Sequence, residues 1–86
     1  MATLSSMRNI GNELEKKLRS IDIYTAEDLV KVGSKKAFAH LKAVYPQVCL
    51  VHLHALQGAI DEVEYNQLSE ELRVELKKFS DGLNWH

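Results

Sequence analysis

The stretch MRNIGNELEKKLRSIDIYTAEDL, residues 7–29, decides the fold. It places Gly11 between two short segments whose apolar residues have helical spacing, and a polar turn at Thr25 then begins a further helix. This order is typical of a helix-hairpin-helix unit, in which glycine reverses the chain because it takes positive φ without a Cβ clash. We therefore expect positive φ at Gly11. The amides that begin the next helix would then point outward, where helix N-termini bind phosphate.

Apolar periodicity and capping residues predict helix along most of the chain, with no strand-like alternation. Residues suited to capping stand at Asn12, Thr25, Ser34 and Ser69. The expected helices cover residues 5–9, 12–20, 26–33, 34–44, 46–63 and 69–79. We therefore predict an all-α protein, a small single domain of five or six helices over residues 4–82 with a helix-hairpin-helix core.

The fifth predicted helix is the most apolar and is expected to be the central element. One stripe of its surface consists of Val48, Val51, Ala55, Leu56, Ala59, Ile60 and Val63. Leu50 and Leu53 add apolar surface on another side, and a helix covered this widely is usually surrounded by its neighbours. Cys49 lies within the same apolar run, so we expect it to be a buried small hydrophobic residue.

Composition indicates an ordinary globular protein. The 86 residues are 45% hydrophobic and 27% charged, and no run of residues approaches the roughly 20 apolar positions that a membrane-spanning helix needs. The first six residues lack the basic start and apolar run of a secretion signal. A single cysteine forms no internal disulfide, so a reducing, cytoplasmic location is expected.

Charge is distributed unevenly along the chain. Through Tyr45 there are eight basic and five acidic residues, and beyond it there are three basic and seven acidic residues. Two interpretations remain open: a basic binding face at one end, or two solvated faces of opposite sign. We prefer the second, because solvated charged faces are the more common case.

Several segments together resemble the TfoX C-terminal domain. They are Met7-Arg8-Asn9-Ile10-Gly11, residues 18–29, Val32-Gly33, Leu41-Lys42, Leu53-His54-Ala55-Leu56-Gln57-Gly58-Ala59 and residues 68–73. The resemblance covers roughly residues 4–79 and implies an all-helical domain with a helix-hairpin-helix core. The family's namesakes regulate bacterial competence for DNA uptake, and in them this module accompanies a separate N-terminal domain, for which 86 residues leave no room. Residues 23–29 are also similar to helix-hairpin-helix modules such as the C-terminal domain of the RNA polymerase alpha subunit, which contacts DNA and proteins.

The hairpin departs from the pattern of hairpins that bind phosphates. Those commonly read Gly-apolar-Gly, whereas here Asn9 stands in place of the first glycine. Asparagine visits left-handed conformations, so the turn itself is still expected. Glu13 and Glu15 bring negative charge to the helix start, and a like charge a few ångströms from a phosphate costs on the order of 1 kcal/mol. We therefore expect the hairpin to serve packing rather than phosphate binding.

Catalysis and metal binding find no support in the residue spacing. His52 and His54 are two residues apart, so on a helix their side chains diverge. The His-Glu-x-x-His pattern, a glycine-rich phosphate loop with lysine and a nucleophile motif are all absent from the sequence. No catalytic residue, metal ligand or cofactor is predicted, and neither a membrane nor a small-molecule substrate is expected as a partner.

Two functions from different classes remain. The preferred one is a regulatory or interaction module that binds a protein partner, or a second copy of itself, through an apolar groove beside the fifth predicted helix or through the C-terminal helix. The alternative is weak, sequence-nonspecific DNA binding through the hairpin around Gly11. The residues that the alternative assigns to nucleic acid are Arg8, Ile10, Gly11, Asn12, Lys16, Lys17 and Arg19.

Overall fold

Five α-helices and two single-turn 3₁₀ helices follow one another in the computed structural model, which describes residues 3–83. The α-helices are α1 (Asn12–Arg19), α2 (Ala26–Val32), α3 (Ser34–Val44), α4 (Leu50–Asp61) and α5 (Glu70–Leu83). The 3₁₀ turns are Leu4–Ser6 and Tyr65–Gln67. The predicted all-α class is thus confirmed. None of the helices within residues 3–83 combines the length and apolarity needed to cross a bilayer.

The segment before α1 differs from its prediction. Instead of a helix over residues 5–9, the chain makes one 3₁₀ turn, so the helix-hairpin-helix core stays a prediction. Gly11 has φ −91° and ψ −179°, which is extended backbone, and the expectation of positive φ there is wrong. The left-handed residue is Asn9, with φ 72°. Asparagine takes this conformation more readily than most residues, and here tertiary hydrogen bonds hold its side chain.

Helix α2 begins and ends where local signals place it. Thr25 Oγ1 accepts a hydrogen bond from the Asp28 amide at 3.1 Å, while Asp28 Oδ2 accepts one from the Thr25 amide at 3.2 Å. This reciprocal capping box satisfies two amides that the helix leaves unpaired. Gly33 ends the helix with φ 89°, a conformation that glycine adopts without strain. At α5, the Ser69 hydroxyl caps the start by accepting the Leu72 amide at 3.2 Å.

Helix α4 occupies the centre of the domain, as predicted, and contacts α3, α5 and the second 3₁₀ turn. It begins at Leu50 rather than at Pro46. The Lys42 ammonium group donates to the carbonyl oxygens of Pro46 at 2.8 Å and Val48 at 2.7 Å, and these bonds hold residues 45–49 as a loop. Cys49 is exposed at the start of α4, so its predicted burial is wrong.

A single hydrophobic core joins all five helices. Leu56 is fully buried, which confirms its predicted place, but on the same helix Leu53 is fully buried while Val51 is 45% exposed. The buried face of α4 is therefore rotated from the predicted stripe. Val44, at the end of α3, is 55% exposed. The fully buried large side chains are Leu4, Leu18, Leu29, Phe38, Leu41, Val48, Leu53, Leu56 and Leu76.

Candidate functional site

The side chain of Asn9 ties the segment before α1 to the end of α4. Its Nδ2 donates to the carbonyl oxygen of Val63 at 2.9 Å and to that of Ala55 at 3.4 Å. Its Oδ1 accepts a hydrogen bond from the amide of Tyr65 at 3.2 Å. A left-handed backbone and these three hydrogen bonds fix the path of residues 7–11 across α4.

Gly58 makes this junction possible. A Cβ at position 58 would lie 2.5 Å from Asn9 Nδ2 and 2.6 Å from the Val63 carbonyl oxygen, so only a glycine allows this approach. The Asn9-Ile10-Gly11 sequence and the Ala-Leu-x-Gly-Ala sequence that contains Gly58 are therefore two halves of one contact. Both motifs are visible in the sequence, but nothing in it indicates that they are in contact.

Two open grooves border the junction, and residues 7–11 contribute to the lining of both. The Gly11 groove has a volume of about 360 Å³. It is lined by Asn9, Gly11, Glu13, Leu14, Lys17, Val51, His52, Ala55 and Tyr65. The Met7 groove has a volume of about 810 Å³. It is lined by Ser6, Met7, Arg8, Ala26, Glu27, Val30, Lys31, Ala59, Ile60 and Glu62.

The walls of the Gly11 groove are largely apolar and partly open to solvent. Val51 and Tyr65 are 45% and 43% exposed, and both belong to this groove. Ala55 is half-buried beside them, and Leu14 is buried. The structure thus contains an apolar groove beside α4, the helix that corresponds to the fifth predicted one.

Two of the basic residues assigned to nucleic acid are engaged within the fold. Arg8 Nη1 forms an ion pair with Glu64 Oε1 at 2.9 Å. Lys17 Nζ lies 3.4 Å from Glu13 Oε2 and 5.5 Å from the centre of the Tyr45 ring, and only 22% of its side chain is exposed. Neither cation therefore stands free for a phosphate.

The other residues of that assignment are scattered between core and surface. The Ile10 side chain is buried, Gly11 precedes α1, and Asn12 is the exposed first residue of the helix. Lys16 and Arg19 are exposed, three residues apart on α1. Neither forms an ion pair with any residue between 3 and 83.

The acidic residues at the start of α1 lie in different surroundings. The Glu13 side chain is 87% exposed, so its charge faces solvent at the edge of the Gly11 groove. Glu15 Oε2 accepts a hydrogen bond from the Ser5 amide at 3.2 Å, and its carboxylate is held against the first 3₁₀ turn. The helix start therefore presents an exposed negative charge.

Cys49, just before α4, and His52, in its first turn, contact each other. His52 Nδ1 accepts a hydrogen bond from the Cys49 amide at 3.1 Å, which caps the helix, and Cys49 Sγ lies 3.6 Å from the same nitrogen. Across residues 3–83, no three His, Cys, Asp or Glu side chains are grouped closely enough to hold a metal ion. The contact between Cys49 and His52 therefore stabilises the start of α4.

The imidazole of His54 on α4 is partly enclosed by its neighbours. Its Nε2 is enclosed and has no hydrogen-bond partner among the described residues. Burial, and to a lesser extent the positive charge of Arg73, lowers the pKa of His54 below its usual 6.5. The folded protein therefore favours the neutral imidazole.

Acidification is expected to destabilise the fold through His54. The unfolded chain binds a proton with a pKa near 6.5 while the folded chain resists it, so this contribution is complete above that pH and is lost as the pH falls below it. Melting temperatures measured across this pH range should fall less in His54→Leu than in the wild type. His40→Leu, at an exposed position, should follow the wild type. Equal pH dependence in all three proteins would contradict this account.

Comparisons with known proteins bear on the family and the fold of this chain. The family model described as the TfoX C-terminal domain matches residues 1–80. A crystal structure of an uncharacterized protein from Listeria monocytogenes, in a triclinic form, is 40% identical in sequence, with a TM-score of 0.95 over 99% of this chain and 97% of the other.

A second crystal structure shares the same fold. It is of a protein of unknown function from Listeria monocytogenes in a tetragonal form, also 40% identical, with a TM-score of 0.90 over 93% of this chain and 99% of the other. No curated protein matches the sequence. The match to nearly the full length of the chain, together with an all-helical fold shared with these structures, shows that the chain belongs to the TfoX C-terminal domain family.

Proposed function

We propose that this protein is a non-catalytic regulatory module that binds a protein partner through the Gly11 groove. The observation that carries the proposal is that Val51 and Tyr65, two large apolar side chains that are nearly half exposed, line the same groove. Burying a side chain of this size contributes roughly 1.5–3 kcal/mol, so two neighbouring anchors supply a useful part of a binding free energy. Membership in a family named for competence regulators supports a regulatory role.

The outer face of α5 supports partner binding less well. Val74 is its exposed large hydrophobic residue, at 48%, and the residues on either side of it, Arg73 and Glu75, are exposed and charged. Single exposed apolar residues are ordinary on protein surfaces and need no partner. The groove is therefore favoured over the C-terminal helix.

Affinity capture with matched variants tests this proposal. Val51→Asp places a charge in the groove, whereas Val74→Asp makes the same change on α5. A specific partner should be retained by the wild type and by Val74→Asp. The affinity of the purified partner for Val51→Asp should be about tenfold or more weaker than its affinity for the wild type. Sedimentation of each variant shows whether that partner is a second copy of the chain. Equal retention by both variants, or loss only in Val74→Asp, would overturn the proposal.

DNA binding is the second candidate, favoured by the exposed cations of Lys16 and Arg19 on one helix, which form no ion pair within residues 3–83. If they contact phosphates, affinity for any duplex should be weak and should fall steeply with salt, because released counterions supply the free energy. Fluorescence anisotropy with a labelled duplex across a salt series measures this. Lys16→Glu with Arg19→Glu should abolish binding, while Glu13→Gln should strengthen it. A flat titration at low salt would exclude this function.

A further inference from the structure

We propose that the Gly11 groove receives an extended peptide segment in which one bulky apolar residue is flanked by lysine or arginine. This inference rests on the proposed function and names the chemistry of its partner. Three features of the groove support it: the free space above Gly11, the size of the cavity and the charge at its edge.

Gly11 is a glycine that the fold itself does not require. Its φ and ψ are extended and open to any residue, and a Cβ at this position would meet no atom within 4 Å. Gly33 and Gly58, in contrast, are explained by a positive φ and by close contact with Asn9. The missing side chain leaves the backbone of Gly11 accessible at the groove, and such a position suits close approach by another backbone.

The size of the Gly11 groove favours a side chain over a whole helix. Its volume of about 360 Å³ is at the low end of the roughly 300–1,000 Å³ typical of ligand pockets. A helix with its side chains is about 10–12 Å wide and needs a longer trough. An extended segment instead inserts one large side chain between Val51 and Tyr65 and continues over Gly11.

The charge at the edge of the groove favours a basic flank on the ligand. The Glu13 carboxylate is 87% exposed, while the ammonium group of Lys17 sits on the Tyr45 ring with a side chain that is only 22% exposed. Glu13 and Lys17 form an ion pair at 3.4 Å, and the negative member of that pair is the more exposed one, which a ligand meets first. A lysine or arginine beside the apolar anchor would pair with Glu13, and a glutamate there would be repelled.

Synthetic peptides test the inference directly on the full chain. Three short peptides carry a central leucine flanked by lysines, by serines or by glutamates, and their affinities are measured by NMR titration of the labelled protein. The lysine-flanked peptide should bind about tenfold or more tightly than the glutamate-flanked one. The lysine-flanked peptide should also shift the NMR signals of the backbone amides of Gly11 and Val51. Glu13→Lys should reverse the order of the two charged peptides.

A variant that fills the groove provides the second arm. Gly11→Leu should keep the melting temperature of the wild type, because the backbone and the open space accept a side chain. The affinity of this variant for the lysine-flanked peptide should be lower by about tenfold or more. Unchanged binding in this variant, no peptide binding at all, or a preference for glutamate flanks would overturn the inference. If one of these results is found while capture of the protein partner still depends on Val51, only this inference fails. If capture does not depend on Val51, the proposed function fails as well.

Discussion

Replacing Leu56 with alanine is expected to lower the free energy of unfolding by about 2–5 kcal/mol. Leu56 is fully buried on α4, the helix that contacts α3, α5 and the second 3₁₀ turn. The substitution removes apolar contacts and leaves a cavity that the neighbouring helices fill only in part. In a domain of this size, such a loss is a large share of the total stability. Urea denaturation followed by circular dichroism measures it.

Val51→Ala is the matched control for Leu56→Ala. Val51 lies on the same helix but is 45% exposed, so its truncation should cost less than about 1 kcal/mol. Similar midpoints for both variants would contradict the central position of Leu56. Alanine is a better helix former than either leucine or valine, so a loss of stability in Leu56→Ala reflects lost packing and not helix propensity.

Gly58→Ala is expected to destabilise the protein by about 1–3 kcal/mol, although alanine is the better helix former. The added methyl group would lie 2.5 Å from Asn9 Nδ2 and 2.6 Å from the Val63 carbonyl oxygen. Either the asparagine side chain moves and loses hydrogen bonds, or the end of α4 shifts. Thermal denaturation by circular dichroism measures the change.

Gly82→Ala is the control for Gly58→Ala. Gly82 also lies in a helix, but a Cβ there would meet no atom within 4 Å, so alanine should leave stability unchanged or raise it by up to about 1 kcal/mol. Combining Gly58→Ala with Asn9→Ala should cost less than the sum of the two single changes, because the clash and the lost hydrogen bonds share one partner. Full additivity would place the strain elsewhere.

Local chemistry made much of the fold predictable from sequence. Thr25 and Asp28 are three residues apart and cap α2 by themselves, Gly33 ends it, and Ser69 begins α5. These signals act between neighbours in the chain, so the residues alone carry them. Leu14 and Leu18, four residues apart, are likewise the buried residues of α1.

The errors lie where hydrogen bonds from individual side chains to the backbone, and not apolar spacing, decide the local structure. Asn9 is left-handed because it bonds to residues beyond α4, which left Gly11 free to be extended. The start of α4 moved to Leu50 because Lys42 binds two loop carbonyl oxygens. No periodicity of neighbouring residues encodes such contacts.

The candidate site was predictable only in outline. An apolar groove beside the central helix was expected, but its position depends on how α4 rotates, since Val51 faces solvent and Leu53 the core. The charged residues near Gly11 were visible in the sequence, whereas the pairing of Arg8 with Glu64, 56 residues away, was not. Ion pairs of this separation depend on the completed fold.

The bonds of Asn9 also bear on the order of folding. They join residues 46 to 56 positions apart in the chain, so their formation must await closure of a loop that contains most of the helices. We therefore expect the contacts of residues 7–11 to form after the local turns of the helices. Because this segment carries the buried Ile10 and lines both grooves, any displacement of it would change the core and the walls of both grooves together.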